Sequence, residues 1–597
     1  MATTPVSQAL QRGGAFLIAT CAPDEIFTPA DLTDDQRLIA QTADEFVAKE
    51  VVPNISDLEA KKEGLMASLL KKAGEIGLLS GAIPEVYGGS GLDKVSATLI
   101  AEKLAAYPSF AVSHGGHAGI GTIPIVYFGT EEQKKKYLPR IATGEILSCY
   151  CLSEPQAGSD ALAARTRAVL SPDGKNWILN GQKMWITNGG FADVYIVFAK
   201  VDGEKFSCFI VERGTPGFHA GPEEHKMGIC GSSTVPIFFE NSPVPKENLL
   251  HEIGRGHIVA FNTLNVGRFS LGAYCLGGAK KVLDAAAKYS KERTAFGKQL
   301  CEFGLIKGKL GEMAIRIFAV ESMIYRSAGM VEGAVANAES GSDKTKQAMQ
   351  VLEEYAIESS IAKVMGSETV DYCVDEAVQI FGGYGFHEDY PVARAYRDSR
   401  INRIFEGTNE INRMLIVQML MKRATAGILP LVPAAQKLGE EVLAGPMMEE
   451  SSGATSDEDR SLAQAKKIFL LAAGTAVQRF REQLAEHQEI VAALSNIVMD
   501  VYAMESSLRR AQKAANTRSS VAATMMDAAS AFVYDALDRI EKEARTVLAA
   551  VAEGDALITQ LAVLRRFAKH APVDTIAARR RVADSILAQD KYPFEYR

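Results

Sequence analysis

Apolar residues recur at helical spacing in two separate parts of the chain. Each set alternates steps of three and four residues, which places its members on one face of an α-helix. The first set is Ile306, Leu310, Met313, Ile317, Val320 and Ile324, and the second is Ile490, Leu494, Ile497, Val501, Met504 and Leu508. The two stripes predict a helix bundle that ends near residue 430 and a further helical domain after residue 460, which must bury its own stripe.

Between about residues 146 and 250 the pattern changes to short apolar runs. Examples are DVYIVFAK, KFSCFIVER and TVPIFFE. Turn chemistry separates such runs, including Asn180-Gly181 and Asn188-Gly189, a dipeptide that is typical of tight turns. This segment is predicted to be a small β domain.

The segment before it, from about residue 31 to 145, has the pattern of helices broken by glycine. Thr33 is suited to be the N-cap of the first helix, which should close at Pro53. An α+β multidomain fold follows. Its predicted parts are an N-terminal helical domain (31–145), a middle β domain (146–256), a helical bundle (257–430), a linker (431–459) and a C-terminal helical domain (460–597). The acidic stretch GPMMEESSGATSDEDR, residues 445–460, is the best candidate for a mobile part of that linker.

The net charge and composition of the chain indicate which kinds of binding partner to expect. The 597 residues carry a net charge of -8 with a pI near 5.8, which disfavours nucleic acid and anionic membranes as long-range partners. No run of eighteen apolar residues occurs, and GGAFLIATCA lacks the length and charged flank of a signal or membrane segment. A cytoplasmic protein that acts on small molecules is expected. Its eight scattered cysteines are expected to be buried free thiols.

Metal and nucleotide motifs are weak or missing in the sequence. Cys149 and Cys151 make only a C-x-C, and His114 and His117 are the one close histidine pair, without H-E-x-x-H. No P-loop sequence and no G-x-G-x-x-G after a strand occurs. A metal enzyme and a dinucleotide-binding fold are therefore not predicted.

Two stretches of the β segment combine hydroxyls, glycines and a tryptophan at turns. They are CYCLSEPQAGSD (149–160) and NGQKMWITNGG (180–190). Trp185 could offer a π-face to a planar ligand, while Ser153 and Thr187 could hydrogen-bond its polar edge. Ordinary hairpin turns around a core tryptophan explain the same residues, so both interpretations stay open at this point.

Glu406 stands at a predicted helix break in RIFEGTNEI. A helical pattern arrives through Ile401, Ile404 and Phe405, stops at Gly407, and can restart with Thr408 as N-cap and Glu410 in the first turn. A carboxylate beside an apolar residue at such a break can have its pKa raised by desolvation, as a general base requires. The alternative is a surface ion pair between Glu406 and Arg400 or Arg403.

Five motifs, taken in order, give the chain a family resemblance. CLSEPQAGSD, KMWITNGG, RTAFGK, QIFGGYGF and RIFEGTNEI together resemble the acyl-CoA dehydrogenases. The length, FTPADLTDDQ near the start, LNVGRF at 264–269 and the additional C-terminal helical domain resemble the very-long-chain branch and its bacterial relatives. The resemblance covers nearly the whole chain from about residue 10 and implies the fold of that family plus an extra C-terminal α domain.

That resemblance implies FAD between the β domain and the bundle, with an acyl-CoA thioester against the flavin. Glu406 would match the family's catalytic base, which removes the α-proton while the β-hydride goes to the flavin and a trans-2-enoyl-CoA forms. The backbone N–H of Glu406 and a flavin hydroxyl would bind the thioester carbonyl. Electrons would pass to an electron-transfer flavoprotein in fatty acid β-oxidation. The resemblance also implies a homodimer, and the acidic linker suggests at most weak membrane association.

The family's site residues carry over by position. The cofactor positions are Tyr150, Leu152, Ser153, Gly158, Ser159, Trp185, Ile186, Thr187, Arg293, Thr294, Phe296, Gln379, Gly382, Gly383, Thr408 and Asn409. The substrate positions are Ser159, Asn265, Arg268, Phe405 and Gly407. Arg293, Thr294, Phe296, Gln379 and the two glycines after it would reach the FAD of a neighbouring subunit.

Two positions compare this chain with other branches of the family. In some branches the base comes from the position that Gly267 occupies here, so Glu406 is the remaining candidate. Medium-chain members have His-Gln after their FGK motif, whereas this chain has Phe303-Gly304. An acyl-CoA oxidase that reduces oxygen and a non-catalytic assembly or scaffold protein on the same fold are the alternatives, and the acyl-chain length is not set by the sequence.

Overall fold

The computed structural model describes residues 12–336, 344–444 and 456–595. Its first layer is helical and consists of α1 Asp34–Phe46, α2 Ile55–Glu59, α3 Leu65–Glu75, α4 Lys94–Leu104, α5 Pro108–His114, α6 Ile123–Phe128 and α7 Glu131–Ala142. Thr33 is the N-cap of α1, as predicted. Its hydroxyl accepts the Gln36 N–H at 3.2 Å, and the Gln36 side chain accepts the Thr33 N–H at 3.0 Å. Helix α1 therefore begins where the sequence pattern places it, but its regular part ends at Phe46, before the predicted end at Pro53.

A β-sheet follows the helical layer. Its strands are β1 Ser148–Cys151, β2 Arg167–Leu170, β3 Asn176–Thr187, β4 Val194–Val201, β5 Lys205–Glu212, β6 Phe218–Ala220, β7 Thr234–Pro245 and β8 Leu249–Leu250. The order is β6-β7-β3-β2-β4-β5-β8, and β1 pairs with β4. The three apolar runs of the sequence become β4, β5 and β7, so the predicted β domain is confirmed.

The predicted turn at Asn180-Gly181 is wrong. Both residues lie inside β3, which is paired with β2 on one side and β7 on the other. A Cβ at Gly181 would lie 2.7 Å from the Cα of Thr166. The glycine therefore permits a bulge and a close backbone approach rather than a chain reversal. Asn188, with φ 63°, does lie in a turn.

The bundle carries the first apolar stripe. It contains α8 Gly256–Glu292, the short hairpin β9 Thr294–Ala295 and β10 Lys298–Gln299, α9 Gly304–Ala336, α10 Lys344–Glu354, α11 Ala356–Phe381, α12 Pro391–Ser399 and α13 Asn409–Thr425. The stripe lies on α9, and its members from Leu310 to Ile324 are buried. The prediction of this helix and of its buried face is confirmed.

The last helices carry the second stripe. They are α14 Leu431–Leu443, α15 Asp457–Phe480, α16 Gln488–Asn516, α17 Ala522–Val551, α18 Gly554–Phe567 and α19 Thr575–Gln589. The stripe from Ile490 to Leu508 lies on α16 and is buried. The predicted linker contains α14, and residues 445–455 of it lie outside the described residues.

Buried charges join the C-terminal helices to the bundle. Glu321 of α9 accepts hydrogen bonds from Arg510 of α16 at 2.6 Å, from the Tyr592 hydroxyl at 2.7 Å and from Lys280 of α8. Arg326 of α9 binds Glu505 of α16 at 2.9 Å. These buried charges therefore fix α16 against α9 of the bundle, while α17 of the C-terminal segment also packs along α16.

Two further expectations concern membrane segments and thiols. Among the helices that the structure describes, none is both long enough and apolar enough to cross a membrane. All eight cysteines are free, and all but Cys230 are buried.

Candidate active site

Glu406 lies in a tight loop between the short turn Arg400–Arg403 and helix α13, as the sequence pattern predicts. Its φ is 58° and that of Gly407 is 80°, so two consecutive residues are left-handed. The Thr408 hydroxyl then caps α13 by accepting the Ile411 N–H at 3.3 Å. A positive φ is strained for glutamate and persists only where the surroundings hold it.

The Glu406 carboxylate fills a space that a glycine leaves open. A Cβ at Gly267 of α8 would lie 2.5 Å from Glu406 Oε2. Oε2 is buried and has no hydrogen-bond partner among the described residues. Burial raises the pKa of Glu406 to about 7, although the nearby cations Arg268 and Lys363 act in the opposite direction. The carboxylate is thus poised to take a proton near neutral pH.

The surface ion pair that the sequence left open does not form between described residues. Arg403 instead lies 3.4 Å from Asp371 of α11. Neither Arg400 nor Arg403 is in ion-pair contact with Glu406 in the described part of the chain. The desolvated carboxylate is therefore the interpretation that the structure supports.

Three donors hold the backbone of this loop from different helices. Arg268 Nε donates to the Glu406 carbonyl at 3.3 Å. Asn412 Nδ2 and Lys363 Nζ each donate to the Gly407 carbonyl at 2.8 Å. These contacts from α8, α11 and α13 fix the left-handed pair.

A cavity of about 680 Å³ opens beside the carboxylate. Its wall includes Gly267, Phe405, Glu406 and Thr187, and it is otherwise mostly apolar. Small residues of the 115–119 segment also line it, so the backbone there leaves room. The volume falls within the roughly 300–1,000 Å³ typical of small-molecule sites.

Both histidines of the 114–117 pair serve the fold. His114 Nε2 lies 2.8 Å from the Leu78 carbonyl, and its Nδ1 lies 3.1 Å from the Tyr274 hydroxyl. His117 Nδ1 accepts the Ser148 N–H at 2.9 Å. Burial lowers the pKa of His114 to about 4 and that of His117 to about 3, so both are neutral. Among the residues with described positions, no cluster of three metal-ligating side chains occurs.

A buried ion pair anchors the loop after β1. Lys183 Nζ lies 2.6 Å from Glu154 Oε1 and donates to the Leu152 carbonyl at 3.2 Å. Both side chains are almost fully buried. Burial and the cation act in opposite directions on Glu154, and the net result is a pKa below the usual range. The pair ties the predicted cofactor segment 150–153 to strand β3.

Tyr150 presents a second unpartnered polar atom near Glu406. Its hydroxyl is buried without a hydrogen-bond partner in the described structure. Burial raises the pKa of Tyr150 well above its usual value, and Glu406 and Arg268 are among the charges that act on it. The hydroxyl is therefore a neutral donor that is available to a ligand.

Trp185 sits at a bulge near the end of β3. The pairing with β7 shifts between Lys183 and Ile186, and Trp185 has a φ of 59°. Its side chain is 60% exposed, whereas Ile186 is buried and Thr187 lines the cavity. The interpretation of Trp185 as a core tryptophan is wrong. The bulge turns the indole out of the sheet's core, where it can meet a planar ligand.

Other predicted cofactor residues lie at a second cavity. It has a volume of about 570 Å³, and its wall includes Arg293, Gln379, Gly382 and Gly383 at the ends of α8 and α11. Phe296 of the nearby hairpin is 97% exposed. Thr294 is exposed in the same hairpin, and Gly158 and Ser159 are exposed on the loop after β1. The structure thus divides the predicted cofactor residues between two surfaces of the chain.

Two predicted ligand-contacting amides use their side chains within the protein. Asn409 Oδ1 accepts from Lys363 Nζ at 2.6 Å, and its Nδ2 donates to Ser367 at 3.1 Å. Asn265 Oδ1 accepts from Arg268 Nη1 at 2.8 Å. These bonds place both amides in support of the residues around Glu406.

Sequence models of the four domains of one family match the chain. They are "Acyl-CoA dehydrogenase, N-terminal domain" over residues 33–145, the middle domain over 149–242, and two C-terminal domain models over 254–421 and 464–566. A "Probable acyl-CoA dehydrogenase" of Bacillus subtilis is 48% identical over 586 residues, which covers 98% of each chain. The chain belongs to the acyl-CoA dehydrogenase family.

Two other proteins extend the comparison. A crystal structure of an acyl-CoA dehydrogenase complexed with FAD from Bacillus anthracis is 46% identical, with a TM-score of 0.95 over 97% of this chain and 99% of that one. The human "Very long-chain specific acyl-CoA dehydrogenase, mitochondrial" is 41% identical over 358 residues, or 58% of this chain and 52% of that protein. The predicted family, fold class and FAD-dependent dehydrogenase activity are confirmed.

The side chains of this acyl-CoA dehydrogenase fit FAD. The Tyr150 hydroxyl is buried without a partner in the described structure, and the Trp185 indole is exposed two residues before Thr187, which lines the cavity at Glu406. A Cβ at Gly158, Gly382 or Gly383 would meet no atom within 4 Å, so the backbone at these glycines is open to a ligand. Donors, an aromatic face and accessible backbone are the groups that bind a flavin and its diphosphate.

Sequence reasoning missed three residues that the acyl-CoA dehydrogenase uses around this site. Lys363 and Asn412 hold the Glu406 loop, and Lys183 forms the buried pair with Glu154. Asn412 lies only four residues after its cap residue, and an asparagine at that spacing is a local signal. The lysines contact partners that are distant along the chain, so no spacing pattern exposes them.

Replacing Gly267 by alanine should impair the enzyme through Glu406. The new Cβ would displace a carboxylate 2.5 Å away, and a displacement of about 1 Å can reduce a rate roughly hundredfold. Gly278→Ala is the matched control because it is on the same helix and wall, yet its Cβ would lie 3.6 Å from the nearest atom, Val370 Cγ2. Rapid-mixing measurements of flavin reduction compare the two, and equal rates would contradict the steric account.

Proposed function

We propose that Glu406 is the base that abstracts the α-proton of a long-chain fatty acyl-CoA. The observation that carries this role is its buried Oε2, which has no partner among the described residues and borders an apolar cavity. Burial raises the pKa of Glu406 to about 7, which suits a base at neutral pH. The carboxylate would take the α-proton, and with a bound FAD as acceptor of the β-hydride the product would be the trans-2-enoyl-CoA.

The loop has a second task in this proposal. The backbone N–H of Glu406 donates to the thioester carbonyl and stabilises the negative charge that develops on its oxygen. Gly407 lets the substrate approach the backbone closely because glycine has no Cβ, and glycine also tolerates the φ of 80° at this position. Apolar walls around the acyl chain exclude water and keep the carboxylate basic.

FAD supplies the hydride acceptor when it is bound, and the chain's residues would hold it. We assign Tyr150, Leu152, Ser153, Gly158 and Ser159 to one edge of the flavin. The residues that would hold the flavin ring are Trp185, Ile186 and Thr187, with Thr408 and Asn409 close to it. Six residues at or near the second cavity would serve the FAD of a second subunit in a homodimer. They are Arg293, Gln379, Gly382, Gly383, Thr294 and Phe296. The proposed path of the substrate is lined by Asn265, Arg268, Phe405, Gly407 and Ser159.

The size and chemistry of the cavity support the proposal that the substrate has a long acyl chain. Its volume of about 680 Å³ and its alanine- and glycine-rich wall leave room beyond the thioester. The human relative is named for very long chains. The proposed electron acceptor is an electron-transfer flavoprotein rather than oxygen, because the similar chains are named dehydrogenases. At most weak membrane association is proposed on the basis of the net charge of -8.

A chain-length series tests this function. Saturated acyl-CoAs from butyryl to eicosanoyl are mixed anaerobically with the purified yellow enzyme, and flavin bleaching is followed. We expect kcat/KM to rise with length, since each buried CH₂ contributes about 0.8 kcal/mol to binding. A maximum at butyryl-CoA would exclude the long-chain assignment. Turnover with electron-transfer flavoprotein but without peroxide excludes the oxidase, whereas protein that cannot take up FAD would favour the assembly role.

A further inference from the structure

Lys363 is a fully buried lysine beside the proposed base. It lies on α11, is 0% exposed, and donates to the Gly407 carbonyl at 2.8 Å and to Asn409 Oδ1 at 2.6 Å. Its ammonium therefore binds one group of the residue before Thr408 and one group of the residue after it. A charged donor buried at a backbone carbonyl is a strong and specific constraint on the loop.

The loop needs such a constraint because its conformation is unfavourable. Glu406 and Gly407 have φ values of 58° and 80°, and only the second is a glycine. Without the bond from Lys363, Asn412 alone among the described donors would hold the Gly407 carbonyl, and the pair at 406–407 could relax toward ordinary φ values. The carboxylate would then leave the space beside Gly267.

The charge of Lys363 also acts on the carboxylate. Burial lowers the pKa of Lys363 to about 8, while Cys275 and Glu406 raise it, Arg268 lowers it and Glu410 raises it. In return, Arg268 and Lys363 counteract the desolvation that raises the pKa of Glu406 to about 7. Without the ammonium, the carboxyl group would hold its proton to higher pH.

We propose that Lys363 is the positioning residue of Glu406: its ammonium locks the left-handed pair at 406–407, and its positive charge beside the carboxyl group favours the carboxylate form. The proposal rests on the proposed role of Glu406 as base. It assigns to Lys363 no contact with substrate or FAD. Its effect passes through the Gly407 carbonyl, through Asn409 and through the electric field at Glu406.

Hydrogen exchange of the loop tests the contact without using activity. In FAD-loaded Lys363→Met, we expect the amides of residues 404–413 to exchange roughly tenfold faster, because a charged hydrogen bond is lost. Lys363→Arg should restore most of the protection. Lys466→Met is the matched control, since it removes another buried lysine, one bonded to Glu505 in the C-terminal domain. General destabilisation would show in both methionine variants.

The pH profile of flavin reduction tests the charge. In Lys363→Met, we expect the acid limb of the rate of flavin reduction to move about one pH unit higher, because the variant lacks the nearby cation that lowers the carboxyl pKa of Glu406. At pH 7, the ionised fraction of Glu406 and with it kcat should then fall about fivefold, with little change in KM. Lys363→Arg should return the limb to its wild-type position, and Lys466→Met should not move it.

Either an unmoved acid limb or unchanged exchange of residues 404–413 in Lys363→Met would overturn the proposal. A separate measurement tests whether Glu406 is the base. If a Glu406→Gln variant reduced its flavin at the wild-type rate, the assignment of Glu406 as base would be wrong. The exchange measurement tests the loop contact whatever Glu406 does. A drop in stability alone, with protection and acid limb both as in wild type, would make Lys363 an ordinary buried cation.

Discussion

Glu406→Gln should reduce the rate of flavin reduction by roughly a hundred- to ten-thousand-fold, the usual effect of losing a positioned general base. Glutamine keeps the size of the side chain and its hydrogen-bonding atoms but does not take a proton at neutral pH. Substrate saturation should change little, because the acyl chain and the CoA contact other residues. Stopped-flow mixing with a long-chain acyl-CoA under anaerobic conditions measures the rate.

The matched control is Glu410→Gln, an exposed carboxylate in the first turn of α13. It should bleach at the wild-type rate. In the wild type, kcat/KM should rise with pH through an acid limb near 7, because the pKa of Glu406 is raised to about 7 and only the ionised form accepts the proton. If Glu406→Gln bleached as fast as Glu410→Gln, another group would be the base.

Lys183→Met should destabilise the β domain by about 3 kcal/mol and weaken FAD retention. The substitution leaves Glu154 buried without its cation at 2.6 Å, and breaking a buried pair from one side typically costs about 3–5 kcal/mol. Glu154 keeps the Arg165 N–H at 2.6 Å, which favours the lower end of that range. The segment 150–153 would also lose the bond from Lys183 to the Leu152 carbonyl. Denaturant unfolding and the flavin content of the purified variant measure the two effects.

A double variant separates charge from packing in this prediction. Adding Glu154→Gln removes the orphaned carboxylate, so Glu154→Gln/Lys183→Met should recover much of the lost stability. The buried Lys183 amine has its pKa lowered by burial even with Glu154 beside it, which shows how poorly the site tolerates an unmatched charge. A double variant that is as unstable as the sum of both single variants would exclude this coupling.

Local signals in the sequence predicted the parts of the site that depend on neighbours along the chain. The break at Gly407, the Thr408 cap and the buried stripes of α9 and α16 are set by spacing and by glycine, so they could be read directly. The turn at Asn180-Gly181 failed because pairing on both sides of β3 overrides the turn preference of that dipeptide.

Contacts between distant segments could not be predicted in this way. Lys363 reaches a carbonyl 44 residues away, and the fit of Glu406 beside Gly267 depends on how α8 packs against the loop. The motif resemblance suggested the proposed role of Glu406, but it did not show that two cations hold the loop and offset the desolvation of its carboxylate. Those effects require the three-dimensional arrangement of α8, α11 and α13.

The charge cluster between α9 and the C-terminal helices sets an order of events during synthesis. Glu321 precedes Arg510 by 189 residues and Tyr592 by 271 residues. At about 5–20 residues per second, roughly ten seconds to a minute of translation separates this carboxylate from those partners. Until then Glu321 has Lys280 of its own bundle but lacks the rest of its shell. The bundle that carries Glu406 therefore leaves the ribosome with an open, charged face, which the C-terminal helices cover only after they are synthesised.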